Sequence, residues 1–334
     1  MQPYKARVIR DLIGKSRRVF KIPVYQRNYD WKNSQCKKLF QDILKAYDKD
    51  KDHFMGTMVY LKITDSSQLE EVLIIDGQQR ITSIYILLKS LYDYAKKEKN
   101  FKLEDIIKDY LFNKKYEESH KLKLKPIKSD NEQLNYLMKN EFDELSKESN
   151  IYQNYILFES LIEEAISKNY TIEDILEGIE KLEVVEIVLD SSQGDEAQVI
   201  FESINSTGLE LSVADLIRNY LLMDDKKQEF LFEEYWLKIE KMVGYDNLEE
   251  FFLHFLNSKL SDITLYKNIY PKFKTYYEKN FVTHEEILIL LKKYAYYYSA
   301  FIGRNDKYSI EIMECLNNFN IINQTTIYPF LLLL

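Results

Sequence analysis

The chain has 334 residues, enough for one large or two ordinary domains with a sizeable core. Only 8 Gly and 5 Pro are spread over that length, which argues against a many-stranded β fold and for long helices. A net charge of −8 excludes a global electrostatic footprint for nucleic acid, although a basic groove can hide inside an acidic total.

In chain order, residues 19–25 read as a short strand with an edge proline, Pro23. Gln26 to Trp31 follow as a polar-aromatic turn. A helix starting near Asn33 or Ser34 carries Cys36, Leu39, Phe40, Ile43, Leu44 and Tyr47 on one face and Lys37, Lys38 and Lys45 on the other. Residues 53–62 predict a strand in which Gly56 marks a bulge or a close backbone approach. A polar turn at 64–68 leads to a strand at 71–75.

That strand runs into Asp76-Gly77-Gln78-Gln79-Arg80-Ile81-Thr82, where a glycine turn opens a helix. Ile81, Ile84, Tyr85, Leu88 and Leu91 recur at a 3.6-residue period, which predicts one buried face. The first amides of a helix lack intrahelical acceptors and sit at the positive end of its dipole, so such a turn favours an anion. Gly77 lets a ligand approach the backbone, and Arg80 offers a planar fork suited to phosphate. Asp76 stands where it can hold a divalent ion, orient water or cap the helix. An ordinary Asp-Gly turn with a solvated first helical turn accounts equally well for these residues alone.

Residues 96–181 are rich in Lys, Glu, Asn and Tyr and predict an all-helical insertion, with Tyr155, Phe158, Leu161, Ile162 and Ala165 inside. The lysines at 121, 123, 125 and 128 read as a solvated face. The β-branched run at 184–189 predicts a strand buried within the sheet. A helix at 195–204 ends at Asn205-Ser206-Thr207-Gly208, with Gly208 as its C-terminal cap. Ser212 opens another helix, with Val213, Leu216, Ile217, Tyr220 and Leu221 on its buried face. Everything beyond residue 224 is aromatic-rich and helical in period, and Trp236 and the tyrosines at 294–298 serve packing. The resulting expectation is a helix-dominated α+β chain: a small sheet domain over residues 1–225, then a helical region over 226–334. The apolar ending Phe330 to Leu334 reads as a core helix that has been cut.

Cys36 and Cys315 form neither a metal-ligand spacing nor a disulfide framework, which points to a reducing cytoplasm. The first residues are polar and mixed, unlike a signal peptide, and no apolar run approaches the ~20 residues that span a bilayer. There is no Walker loop, no Gly-x-Gly-x-x-Gly and no Gly-x-Ser-x-Gly elbow, and the four histidines are scattered. What remains is a set of polar motifs at strand and helix ends.

Four of them occur in order: Ile22-Pro23-Val24-Tyr25-Gln26-Arg27-Asn28-Tyr29-Asp30-Trp31, His53-Phe54-Met55-Gly56-Thr57, Ile75-Asp76-Gly77-Gln78-Gln79-Arg80-Ile81-Thr82, and the stretch from Phe201 through Asn205 and Gly208 to Ser212 with Asp215-Leu216. Together they resemble the N-terminal domain of GmrSD-type restriction endonucleases, over roughly residues 10–225. The resemblance implies a ParB/sulfiredoxin-like fold whose strand–glycine–helix element binds nucleotide phosphates. It implies an anti-phage protein acting on modified or foreign DNA, with a domain that binds and hydrolyses a nucleoside triphosphate, GTP or ATP, with Mg²⁺. Cutting would fall to an HNH-type nuclease in cis or in trans, whose histidine motif is not in this sequence. By the same resemblance Asp76, Gln78, Gln79 and Arg80 would be catalytic, with Asp76 on the metal. Gln26, Arg27, Gly77, Arg80, Asn205 and Gly208 would hold the nucleotide. Two other readings stand beside it: a module that binds or cuts DNA through the same arginines, and a non-catalytic interaction scaffold with the helical insertion and the helical tail as partner surfaces.

Overall fold

The computed structural model describes residues 3–65, 69–113, 121–189, 198–200, 202, 211–223, 226–305, 307–321 and 324–334. Asn205 and Gly208, with most of the helix expected at 195–204, lie outside them. The chain divides into two compact units, Met1–Ala197 and Gln198–Leu334.

The first unit is built on one mixed six-stranded sheet: β1 (Pro3–Arg7), β2 (Arg18–Lys21), β3 (His53–Asp65), β4 (Glu70–Asp76), β5 (Leu124–Lys125) and β6 (Leu182–Leu189), in the order β1-β6-β3-β4-β2-β5. β2 and β4 are parallel neighbours, Arg18 opposite Glu70 and Lys21 opposite Leu73, so both deliver their carboxyl ends to the same edge. β3 runs antiparallel to β4 and parallel to β6. Six α-helices belong to this unit among the described residues, besides a π-helical turn at Val8–Ile13: α1 (Asn33–Asp48), α2 (Gln78–Lys97), α3 (Phe101–Leu111), α4 (Lys128–Lys139), α5 (Asn150–Ser167) and α6 (Ile172–Glu180). One core joins them to one sheet face, through Phe20, Tyr60, Val72 and Ile74 from the strands and Phe40, Ile84, Leu88, Phe158 and Ile175 from the helices. The architecture is α+β and helix-dominated, as the low glycine and proline count predicts.

Several local expectations change. The strand at Pro3–Arg7 has no clear sequence signal, and its partner β6 supplies it, from Pro3 opposite Ile187 to Arg7 opposite Glu183. The insertion is not all helical: Leu124–Lys125 adds a parallel edge strand beside Phe20 and Lys21. Nor are its lysines a uniformly solvated face. Lys121 is exposed, but Lys123 is 2% exposed, and its Nζ donates to the carbonyls of Ile13 at 2.9 Å and Asp109 at 2.7 Å. Two carbonyls at the ends of helical segments thus replace the water the ammonium gives up. α2 is buried all round rather than on one face: every residue from Ile81 to Leu91 is inside, including Ser83, Lys89 and Ser90. Helices thread between other layers in this way only when their polar groups find partners. Ser83 and Ser90 return their hydroxyls to the carbonyls of Gln79 and Ile86, and Lys89 pairs with Asp93 and donates to Asn140 at 2.7 Å.

The second unit is helical in its described residues. Ser212 caps the helix α7 (Val213–Leu222) as expected, accepting from the Asp215 N–H at 3.1 Å. Its buried face is turned from the predicted one and contains Asp215, Arg218 and Asn219, while Val213, Leu216 and Tyr220 are only half-buried. Arg218 donates to Asp215 at 2.6 Å, and Tyr245 donates to the other carboxylate oxygen at 3.0 Å, so the charges enter the interior as a satisfied pair. Trp236 is fully buried and stacks on Phe252 at 6.0 Å. No helix among the described residues is long and apolar enough to cross a membrane.

Candidate anion-binding site

The site forms where the sequence brings a strand, a glycine and a helix together. β4 ends at Asp76. Gly77 then adopts φ +98°, ψ 6°, a left-handed conformation that turns the chain through nearly no space. A Cβ there would lie 3.1 Å from Met58 Cγ. α2 starts at once, with Ile81 N–H closing its first intrahelical bond on Gly77 O at 3.1 Å. The amides of Gln78, Gln79 and Arg80 therefore precede the helical ladder, and Gly77 contributes no capping side chain.

Arg80 is held from two sides. Its Nη2 donates to Asp76 Oδ2 at 3.1 Å, and its Nη1 donates to the carbonyl of Met55 at 3.0 Å. That carbonyl is available because β3 bulges there: its pairing with β6 steps from Phe54 opposite Glu183 to Thr57 opposite Val185, with one extra residue in β3. Gly56 sits in the bulge at φ +112°, and a Cβ on it would fall 2.1 Å from Arg80 Nη1. Both readings of Gly56, bulge and close approach, hold at once.

The turn after β2 reaches the same place. Gln26 is buried, and its Nε2 donates to the carbonyl of Ile75 at 2.9 Å while its Oε1 accepts from Gln78 Nε2 at 3.0 Å. The residue before Arg27 is thereby fastened to the strand end and to the first helical residue. Arg27 itself is half-exposed and has no hydrogen bond or ion pair among the described residues. Gln79 faces the other way. Its Oε1 accepts from the amides of Asp30 at 2.8 Å and Trp31 at 3.1 Å, and its Nε2 donates to Asn28 O at 2.9 Å.

Beneath the turn lies a buried polar cluster that sequence reading does not flag. The Tyr29 hydroxyl meets Ser83 Oγ at 2.7 Å, Cys36 Sγ at 3.3 Å and Asn154 Nδ2 at 3.1 Å. Burial pushes the Tyr29 hydroxyl and the Cys36 thiol up from their ordinary values, so both stay protonated. Asp130 accepts from the Tyr29 amide at 2.6 Å; burial raises its carboxyl to about 6, against the pull of that hydrogen bond. Asn154 carried the available signal: an asparagine inside a helix, on the face that buries Ile151, Tyr155 and Phe158, has to earn its place with a side-chain partner.

Gln26, Asp76, Gly77, Gln78, Gln79 and Arg80 are thus brought to one sheet edge, with Arg27 next in the chain. Among the described residues no group of three or more His, Cys, Asp or Glu side chains is placed to hold a metal ion.

Residues 9–222, from just after β1 to the end of α7, match the family model of the GmrSD restriction endonuclease, N-terminal domain. The chain belongs to this family. The GmrSD membership ties it to restriction systems. The uncharacterized protein MJ0686 of Methanocaldococcus jannaschii is 25% identical over 233 residues, which cover 59% of this chain and 38% of that protein. The alignment therefore spans less than half of that relative's length.

Proposed function

We propose that this chain is the nucleotide-binding regulatory part of a restriction system, and that the edge formed by Asp76 to Arg80 and Gln26–Arg27 takes the triphosphate of GTP or ATP. The observation that carries this reading is an uncapped helix start, at the carboxyl ends of two parallel strands, flanked by one pinned arginine and by Arg27, which has no hydrogen bond or ion pair among the described residues. Ligands gather at such strand ends, and helix N-termini favour phosphate. The element corresponds to the phosphate-binding strand–glycine–helix of the ParB/sulfiredoxin-like fold that the family resemblance implies.

Roles follow from which atoms are uncommitted. Asp76 and Met55 O orient the Arg80 fork before any ligand arrives, so little is lost in ordering it. Arg27 would close on the phosphates and offset charge that develops as the terminal phosphoryl group is transferred. Gln79 spends its amide on the 28–31 turn and acts as a positioning residue. Among the described residues Gln78 uses only Nε2, on Gln26, and its Oε1 would orient the attacking water. Among the described residues Asp76 keeps Oδ1 uncommitted. A single carboxylate fits Mg²⁺ in a phosphate site, where the ion brings most of its ligands with the nucleotide. Bound there, Mg²⁺ would supply charge neutralisation on the phosphate oxygens. Recognition of modified or foreign DNA and its cleavage by an HNH-type nuclease in cis or in trans belong to the larger assembly in this reading.

The test is calorimetric titration of GTP and of ATP, with Mg²⁺, into wild-type and Arg80→Ala protein, with phosphate release followed in the same samples. Wild type is expected to bind, and loss of a charge-assisted contact should weaken the variant on the order of 10- to 100-fold. Equal affinity in a folded Arg80→Ala protein would remove the site from this edge, and binding without phosphate release would make it a sensor.

A further inference from the structure

The turn that bears Arg27 makes almost no backbone hydrogen bonds to other backbone. From Asn28 O to Trp31 O its polar groups are met by side chains, and these come from two directions. Gln79 on α2 takes Asn28 O and the amides of Asp30 and Trp31. The rest comes from the helical insertion, about a hundred residues further along the chain. Asp130 near the start of α4 accepts from Tyr29 N, and Ser129 beside it donates to Asn28 Oδ1 at 3.4 Å. Asn150, the first residue of α5, donates to Tyr29 O at 3.0 Å. Asn154, one turn on, donates to Trp31 O at 2.7 Å and to the Tyr29 hydroxyl.

Asn154 is the telling residue. Its side chain is fully buried, and Oδ1 has no hydrogen-bond partner among the described residues. A buried unpaired carbonyl is costly, and leucine at this position would avoid the cost. What asparagine adds over leucine is the pair of donations into the Arg27 turn. The insertion is thus built into the edge of the candidate site.

We infer that helices α4 and α5 set the position of the Arg27 turn, with Asp130, Asn150 and Asn154 as positioning residues for the anion site. The inference rests on the nucleotide reading for its consequence, but not for its geometry. Gln26 and Gln79 anchor the same turn to β4 and α2, so a partner that shifted α4 and α5 would act on residues 28–31 just beyond Arg27, whereas the Arg80 fork is held by Asp76 and Met55 O.

The experiment uses the whole chain and two readouts. Amide hydrogen exchange of the segment around residues 28–31 is compared in wild type, Asn154→Leu, Asp130→Ala and Asp130→Asn, and each protein is titrated with GTP and ATP in the presence of Mg²⁺. Asn154→Leu and Asp130→Ala should exchange at least tenfold faster in that segment while segments from the middle of α2 are unchanged. Asp130→Asn, which keeps an acceptor for Tyr29 N–H, should restore the wild-type rate. Triphosphate affinity should fall several-fold in Asn154→Leu, and the loss should vanish when Arg27→Ala is already present, since the two act through one turn. Unchanged exchange in 28–31, or losses that simply add to Arg27→Ala, would overturn the inference. If Asn154→Leu does not fold, the Asp130 pair decides. If wild type binds no nucleotide, the functional reading falls, and exchange alone judges the positioning.

Discussion

At the scale of single residues, Gly56 does as much for the site as the charged side chains. It holds φ +112° inside the bulge, and the space that a Cβ would fill is occupied by Arg80 Nη1 at 2.1 Å. The guanidinium can yield only by giving up its hydrogen bonds to Met55 O and Asp76, which hold both ends of its fork. Gly56→Ala should therefore act as an Arg80 mutation made from the opposite strand. The strained backbone should cost about 1–3 kcal/mol of stability, read as a lower urea midpoint. Nucleotide affinity should drop as far as in Arg80→Ala, because the arginine is displaced although present. A Gly56→Ala protein with lowered stability and full affinity would show that the position of Arg80 does not matter.

At the scale of elements, the two-residue strand β5 shows how little regular structure is needed when a buried charge does the joining. Lys123, just before it, ties the end of the π-helical turn Val8–Ile13 to the last turn of α3. Burial lowers its ammonium from the ordinary lysine range to about 8, with Asp109 acting in the opposite direction. The sign follows from proton counting. Between about 8 and the unfolded value near 10.4 the unfolded chain carries the proton and the folded chain does not, so this group's contribution to stability rises with pH across that window. Below about 8 the cost of the buried charge is present in full, on the order of 3 kcal/mol. Lys123→Met should remove this slope: the stability difference between wild type and variant, from urea unfolding at pH 7.5 and 10, should shift toward wild type at the higher pH. A difference that stays constant would place the ammonium in contact with water.

The same element marks the limit of what the sequence discloses. Periodicity located α1, α2, α5, β3, β4 and β6, because each puts apolar residues on a repeat that burial enforces. It did not find β1 or β5, whose residues acquire strand geometry only from their partners. It also assigns Lys123 to a solvated face and leaves other buried polar side chains unmarked. Lys89, Lys123, Asp215 and Arg218 look solvated until a tertiary partner is known, and no local pattern announces the partner. At the candidate site, the Asp76–Arg80 turn and Gly56 were legible because a turn and a bulge are local events. The support from Asp130, Asn150 and Asn154 was not, since it links positions about a hundred residues apart.

At the scale of the whole molecule, each compact unit has its own interior. The first closes helices onto a sheet around aliphatic residues, whereas the second packs Trp236, Phe251, Phe252, Phe255, Tyr298 and Tyr328 among helices. The two tryptophans fall one to each unit, Trp31 in the turn beside Arg27 and Trp236 in the aromatic interior. This gives a direct view of cooperativity. Trp31→Phe leaves a fluorophore that reports only the second unit, and Trp236→Phe leaves one that reports only the first. Separate interiors predict two urea transitions with different midpoints, each with a slope smaller than that of a single transition exposing the whole chain. Nucleotide with Mg²⁺ should move the Trp31 transition to higher urea and leave the Trp236 transition where it was, because a ligand stabilises only the unit that binds it. Coincident transitions, or a ligand shift seen equally by both tryptophans, would show that the chain unfolds as one and would transfer the regulatory coupling from the insertion to the molecule as a whole.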